Sequence, residues 1–207
     1  MTNSTETQRR EAREDWLAMM ERRRSVSAMG LTAPGPSADE LERLLGIAAR
    51  VPDHAILEPW RFVVVEGPAR MEAGALLGEV YRAVNPGMEP AKREKFAGIM
   101  SRLFSYAPVA VIVVSRPKPG TMIPLWEQEL SAGAACMNLL HAVHAAGFGA
   151  IWVTGWAATE PAAVRILGIG EGEKVAGIVH IGTPKEVPPD RPRPDLAARV
   201  TRWTPPA

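Results

Sequence analysis

The segment Pro108–Ser115, PVAVIVVS, constrains the fold more than any other stretch of the chain. It carries no charged side chain, and Val109, Val111, Ile112, Val113 and Val114 are β-branched. A half-solvated strand alternates apolar and polar residues, whereas an unbroken apolar run of strand length belongs to a strand buried on both faces. The segment is therefore expected at the centre of a sheet, covered on either side.

The other elements can be placed around it. Trp16, Leu17 and Met20 mark a helix that ends near Arg22–Ser25. Ser37 and Glu40 stand at capping-box spacing before a helix whose buried stripe is Leu41, Leu44, Leu45 and Ala48. Phe62–Glu66 reads as a strand stopped by Gly67-Pro68, and Lys174–Gly182 as another. Helices are expected from Pro68 to about Ala83, over Ala91–Phe104, and from Thr159-Glu160-Pro161 to Leu167. The longest helix runs from about Leu125 to Ala146 and is stopped by Gly147. Its middle, SAGAACMNLLHAVHAAG, is almost uncharged on every side, which predicts burial all round. Its small residues permit close approach of another helix, so it is a natural centre for a dimer. Ala150–Val153 is a short strand or loop leading to Thr154-Gly155-Trp156. Strands scattered among helices, with no repeat, give an α+β fold with one core. Residues 1–14 read as a flexible polar arm, 15–207 as a single domain, and about 185–207 as its Pro-rich tail.

Composition excludes several functions. The 24 basic and 23 acidic residues give a net charge of +1, which argues against a nucleic-acid or membrane-surface partner. The single cysteine, Cys136, leaves no disulfide framework or Cys-rich zinc site and fits a reducing compartment. The opening MTNSTETQRREARED has no apolar stretch, so a secretory signal is not expected and a cytoplasmic location is.

Chemistry concentrates in two places. Arg50–Phe62, RVPDHAILEPWRF, joins a helix to a strand and carries Arg50 ahead of, and Asp53 and His54 between, two prolines that stiffen it. It suits either an ordered connection or the grip of a planar anionic ligand. Arg22-Arg23-Arg24-Ser25 ends a helix with guanidinium forks and a hydroxyl, which suits phosphate as well as a solvated helix terminus. Arg191 and Arg193 add two guanidiniums on a Pro-rich backbone. Other candidates fall away. Gly168-Ile169-Gly170-Glu171-Gly172 precedes a strand instead of opening a helix, so it is not a dinucleotide loop. His141 and His144 have no carboxylate or cysteine at ligand spacing, and no metal is expected there. Cys136 lies in an apolar helix as a small hydrophobe, and His180 in a strand reads as structural. No catalytic triad signature occurs.

Five ordered segments resemble the FMN-dependent NAD(P)H nitroreductase family, in its short YdjA-like branch. They are RRS at Arg23–Ser25, ARVPDHAILEPWRF at Ala49–Phe62, WEQELSAGAA at Trp126–Ala135, HAAGFGAIWVTG at His144–Gly155 and IGTP at Ile181–Pro184. The resemblance covers about Met20 to Pro194. It implies a three-layer α-β-α sandwich with a mostly antiparallel sheet, assembled as an interwoven homodimer with two FMN sites at the subunit interface. It further implies that Arg23, Arg24 and Ser25 bind the ribityl phosphate from one subunit while Arg50 and His54 reach the same flavin from the other. Trp152, Val153 and Thr154 would line the isoalloxazine, although the related branch carries Arg-Ser where this chain has Val153-Thr154. Arg193, with Arg191 as second choice, would complete the phosphate clamp. The implied activity is transfer of electrons from NADH or NADPH, as hydride through flavin N5, to a nitroaromatic or quinone-like acceptor by ping-pong exchange. No protein side chain need be catalytic, since the cofactor carries the chemistry. Reductive dehalogenation, flavin fragmentation and flavin binding without turnover are the alternatives on the same fold.

Overall fold

The computed structural model of the chain describes residues 13–206, so the N-terminal arm lies almost wholly outside the described residues. In chain order the elements are α1 (Glu14–Arg22), β1 (Leu31–Thr32), α2 (Ala38–Ala48), β2 (Trp60–Glu66), α3 (Ala69–Val84), α4 (Pro90–Ser101), β3 (Val109–Ser115), α5 (Leu125–Ala145), β4 (Gly149–Val153), α6 (Trp156–Thr159), α7 (Pro161–Ile166) and β5 (Lys174–Pro184).

The β-branched run is β3, and it is buried at every position. On one side it pairs with β2, Trp60 opposite Ser115 and Glu66 opposite Val109. On the other it pairs with β5, Val109 opposite Ile181 and Ser115 opposite Lys174. β4 adds to β5 with Gly149 opposite Gly182, and the two-residue β1 joins the end of β5 with Leu31 opposite Pro184. Every pairing is antiparallel.

Period-two alternation sends successive β3 side chains to opposite layers. Val109, Val111 and Val113, with Val179 and Ile181 of β5, pack under Leu41, Leu44 and Ala48 of α2 and Leu139 and Val143 of α5. Ala110, Ile112 and Val114 pack under Leu77 of α3, Phe104, Ala157 of α6 and Ala163 of α7. Helices thus cover both faces of an antiparallel sheet. The capping box of α2 is formed: Glu40 N–H donates to Ser37 Oγ at 3.3 Å, and Ser37 N–H donates to Glu40 Oε2 at 2.8 Å.

One expectation is corrected. Within a single chain α5 is not buried all round, because only one face of it lies on the sheet. Ala132, Ala135, Cys136 and Leu139 are buried, whereas Trp126 and Leu130 are 61% and 63% exposed. These two begin a stripe that continues through the half-buried Ala134, Met137 and His141. Among the described residues no helix is long and apolar enough to cross a membrane.

Candidate functional site

Two groups of the expected residues form, and α5 connects them. The first gathers at its C-terminal end. α1 stops at Arg22, and the chain runs extended past β4, where Val26 N–H donates to the Ala150 carbonyl at 3.0 Å. This places Arg22, Arg23 and Arg24 around a cavity of about 180 Å³ that His144, Phe148, Gly149, Pro184 and Val187 also line. The segment after β5 returns over the same place. Arg24 donates to the Pro189 carbonyl and lies 3.8 Å from the Asp190 carboxylate, which also receives Arg193 at 2.7 Å.

Three side-chain nitrogens of this cluster lack hydrogen-bond partners. Arg23 Nη1, His144 Nε2 and His141 Nδ1 are buried without a partner. Burial, then the guanidiniums of Arg193, Arg191 and Arg24, pull Arg23 below the usual guanidinium range. Burial, then Arg23, then His141, push His144 down to about 4, and burial and Arg23 lower His141 in the same direction. A buried guanidinium N–H without an acceptor, beside mutually repelling cations, is costly unless an anion joins it. A phosphate monoester brings nearly two negative charges and three acceptor oxygens, so the group fits the donor set. Both Arg191 and Arg193 bear on Arg23, so the structure brings in each of the two candidates for closing the clamp. Ser25 is exposed beside them.

Trp152, Val153 and Thr154 lead away from this cluster along the edge of β4. Ala150 turns its carbonyl to that edge to meet Val26, and by period-two alternation Trp152 turns its N–H and C=O the same way. Thr154, four residues beyond Ala150, lies about 13 Å along the strand. The Trp152 indole packs against β5, where a β-bulge leaves Ala176 out of register between Gly177 and Val175. Trp152 Nε1–H donates to the Ala176 carbonyl at 3.2 Å, and a Cβ on Gly177 would lie 2.0 Å from that nitrogen. Gly155, at φ +91 and ψ −163, makes the turn after Thr154 in a region open to glycine alone.

The second group lies along the N-terminal half of α5. Ser131 Oγ–H donates to the Pro52 carbonyl at 2.7 Å and accepts from Trp60 Nε1–H at 3.2 Å. Asn138 Nδ2–H donates to the Ile47 and Arg50 carbonyls. His54 Nδ1 lies 2.7 Å from Glu127 Oε1, at the mouth of a cavity of about 470 Å³ walled by Pro52, Pro59, Ile123, Leu130 and Ala134. The stiffness of this loop has a source beyond its prolines. Ala55, Ile56 and Glu58 adopt left-handed φ of 62, 52 and 46, and the Asp53 carboxylate holds the turn by accepting Leu57 N–H at 3.0 Å and Glu58 N–H at 2.8 Å. Asp53 and Glu127 were not singled out from the sequence as site residues. Asp53 reaches backbone N–H groups four and five residues on, beyond the two-residue reach of an Asx turn, so no local spacing signalled its part.

One chain does not bring the two groups together. Glu127, which holds His54, and His144, which faces the arginines, are separated by about 25 Å along the axis of α5. Cys136 between them is buried, and burial pushes its thiol up to about 12, so it offers no nucleophile.

The model of the family described as "Nitroreductase family" matches residues 20–183. The Escherichia coli K12 protein named "Putative NAD(P)H nitroreductase YdjA" is 34% identical over 171 residues, spanning 83% of this chain and 89% of that one. The fold superposes on a nitroreductase-like family protein from Bacillus cereus with a TM-score of 0.77 at 22% identity, covering 94% of this chain and 99% of the other. A nitroreductase with bound FMN from Bacteroides fragilis gives a TM-score of 0.66 at 20% identity, covering 92% and 99%.

Proposed function

The chain belongs to the nitroreductase family, and on that premise we propose that it is a homodimeric FMN-dependent oxidoreductase using NADH or NADPH to reduce nitroaromatic or quinone-like acceptors. The observation that carries this reading is the cluster of Arg23, Arg24, Arg191 and Arg193, with unpartnered buried nitrogens at Arg23 and His144. Bound FMN supplies the redox chemistry, accepting electrons from a nicotinamide and passing them on by ping-pong exchange.

The protein's own part is to bind and orient. Arg23 and Arg24 hold the phosphate, with Ser25 beside them and Arg193 and Arg191 closing over it. Charge-assisted hydrogen bonds of this kind contribute about 1.5–3 kcal/mol each. The open edge of β4 at Trp152–Thr154 receives the planar ring system, and the indole of Trp152, anchored on Ala176, fixes the shape of that edge.

Arg50 and His54 serve the flavin of a second copy. The stripe of exposed Trp126 and Leu130 and half-buried Ala134, Met137 and His141 gives α5 a largely apolar face for its counterpart. When two α5 helices pair antiparallel about a two-fold axis, the N-terminal half of one meets the C-terminal half of the other. His54 of one copy then comes beside the arginine cluster of its partner, which spans the 25 Å gap that a single chain leaves.

The test is spectroscopic. Purified protein is expected to be yellow, to bind added FMN with a shift of the flavin spectrum, and to bleach on anaerobic addition of NADH or NADPH. Colourless protein that leaves the FMN spectrum unchanged overturns the reading, and an acceptor panel during reoxidation assigns the substrate class.

A further inference from the structure

We propose that His144 is a proton-accepting ligand of the cofactor phosphate, so that FMN binding takes up a proton at this side chain and cofactor retention is linked to pH. The inference rests on the FMN reading above and concerns the regulation of that site. His144 projects from the last turns of α5 into the cavity that Arg22, Arg23 and Arg24 line, and its Nε2 is buried with no partner. Among the described residues no carboxylate lines this cavity.

The charged groups around His144 come from three elements. From the end of α1 and the segment after it come Arg22, Arg23 and Arg24; from α5 itself comes His141. From the strap after β5 come Arg191 and Arg193, which bear on Arg23, and Asp190, whose carboxylate is shared by Arg24 and Arg193. Across α5, Glu40 and Arg43 of α2 line a different cavity, with Ala142, Ala145 and Ala146. The carboxylate of the strap, Asp190, is taken up by Arg24 and Arg193; burial, then Arg23, then His141 keep the imidazole neutral without a bound anion, held down to about 4. A phosphate dianion reverses the sign of the local field and supplies an acceptor for a proton on Nε2. The protonated ring then gains a charge-assisted hydrogen bond, and its pKa rises.

The direction follows from linkage. Between the depressed value of the free protein and the raised value of the complex, each FMN bound brings a proton with it, so affinity falls as pH rises through that window. Free FMN has its own phosphate ionisation near about pH 6, which releases protons on binding below that value and acts in the opposite sense. Measurements at about pH 7.5, where the free phosphate is already a dianion, isolate the protein's contribution.

Isothermal titration of FMN-free protein with FMN, in buffers of differing ionisation enthalpy, reads the proton uptake directly. Wild type is expected to take up a substantial fraction of a proton per FMN at about pH 7.5, while riboflavin, which lacks the phosphate, brings none. His144→Gln keeps a hydrogen-bond donor but cannot titrate; it should bind FMN with no uptake, whereas His141→Gln should retain it. Histidine-labelled NMR of wild type, following the His144 ring with and without FMN, reads the same rise in pKa should His144→Gln fail to fold. FMN that binds wild type without proton uptake, or uptake that persists in His144→Gln, overturns the inference and leaves the FMN reading standing. Absence of FMN binding to wild type overturns the FMN reading itself.

Discussion

Trp152 and Ala176 are joined by an indole-to-carbonyl hydrogen bond of 3.2 Å at the point where the β3–β5 register shifts and leaves Ala176 without a partner on β3. The neighbouring Gly177 makes room for the indole, since a Cβ there would lie 2.0 Å from Nε1 and 2.4 Å from Cδ1. Gly177→Ala should therefore force Trp152 out of place and cost about 1–3 kcal/mol, the usual range for overpacking. Chemical denaturation measures the loss, and a changed flavin absorption envelope reports the displaced edge of β4. Unaltered stability and spectrum would show that the indole does not shape this edge.

The core and the elements were legible in the sequence because their signals are local. The β-branched run of β3, the capping box at Ser37 and Glu40, and Gly147 at φ +86 after α5 each declare themselves within a few residues. β1 was not legible: Leu31 and Thr32 are strand only because Pro184 and Thr183 pair with them. Uniform apolarity along α5 announced burial without naming its partner, so one chain leaves Trp126 and Leu130 exposed. At the site, Arg23 and His144 share a cavity although more than a hundred residues separate them, and nothing in the spacing tells that. The left-handed turn at Ala55, Ile56 and Glu58 was equally hidden, because none of these residues is a glycine.

That turn carries the second prediction. Left-handed φ costs about 1–2 kcal/mol per non-glycine residue, and Asp53 is the group that offsets it by accepting two backbone N–H bonds. Asp53→Ala should destabilise the protein by about 2 kcal/mol, release His54 from its position against Glu127, and speed FMN dissociation. Circular dichroism should stay unchanged, because α2 and β2 on either side keep their own packing. Ala55→Gly in the same background should restore part of the stability, since glycine takes left-handed φ without strain.

Sharing of the site between copies is tested by complementation. Arg23→Ala removes a charge-assisted contact and should weaken FMN binding by about 10- to 100-fold. Arg50→Ala should weaken it too while leaving the dimer intact. Mixed dimers of the two variants place both defects in one site and leave the other site with its full set. Equilibrium mixtures should therefore regain tight binding at one site per heterodimer, read by flavin fluorescence quenching. No recovery on mixing would mean that Arg23 and Arg50 act on one flavin within a single chain.

The exposed face of α5 gives the fourth prediction. Leu130 is 63% exposed in the single chain and lies in the stripe proposed to meet a second copy. Leu130→Glu places an unpaired charge in the apolar seam where two such stripes pack, opposite the C-terminal half of the partner helix, and burying a charge without a partner is costly. The variant should sediment as a monomer and lose FMN, with its helical content kept. A dimeric Leu130→Glu protein with full FMN content would remove α5 from the interface.

Acid stability follows from His180, which is 1% exposed on β5 beside Phe104 and has neither ring nitrogen hydrogen-bonded. Burial pushes its pKa down to about 4, whereas an unfolded histidine titrates near about 6.5. Above that unfolded value neither state holds the proton, and the ring adds no pH dependence to stability. As pH falls from about 6.5 toward 4, the unfolded chain binds a proton that the native core refuses, so stability declines by up to about 3 kcal/mol. Denaturant midpoints measured across this window should fall for wild type and stay flatter for His180→Leu. His144 contributes with the same sign in FMN-free protein, so both proteins must be compared in one cofactor state. Parallel pH profiles for the two would show that His180 finds a proton acceptor in the folded core.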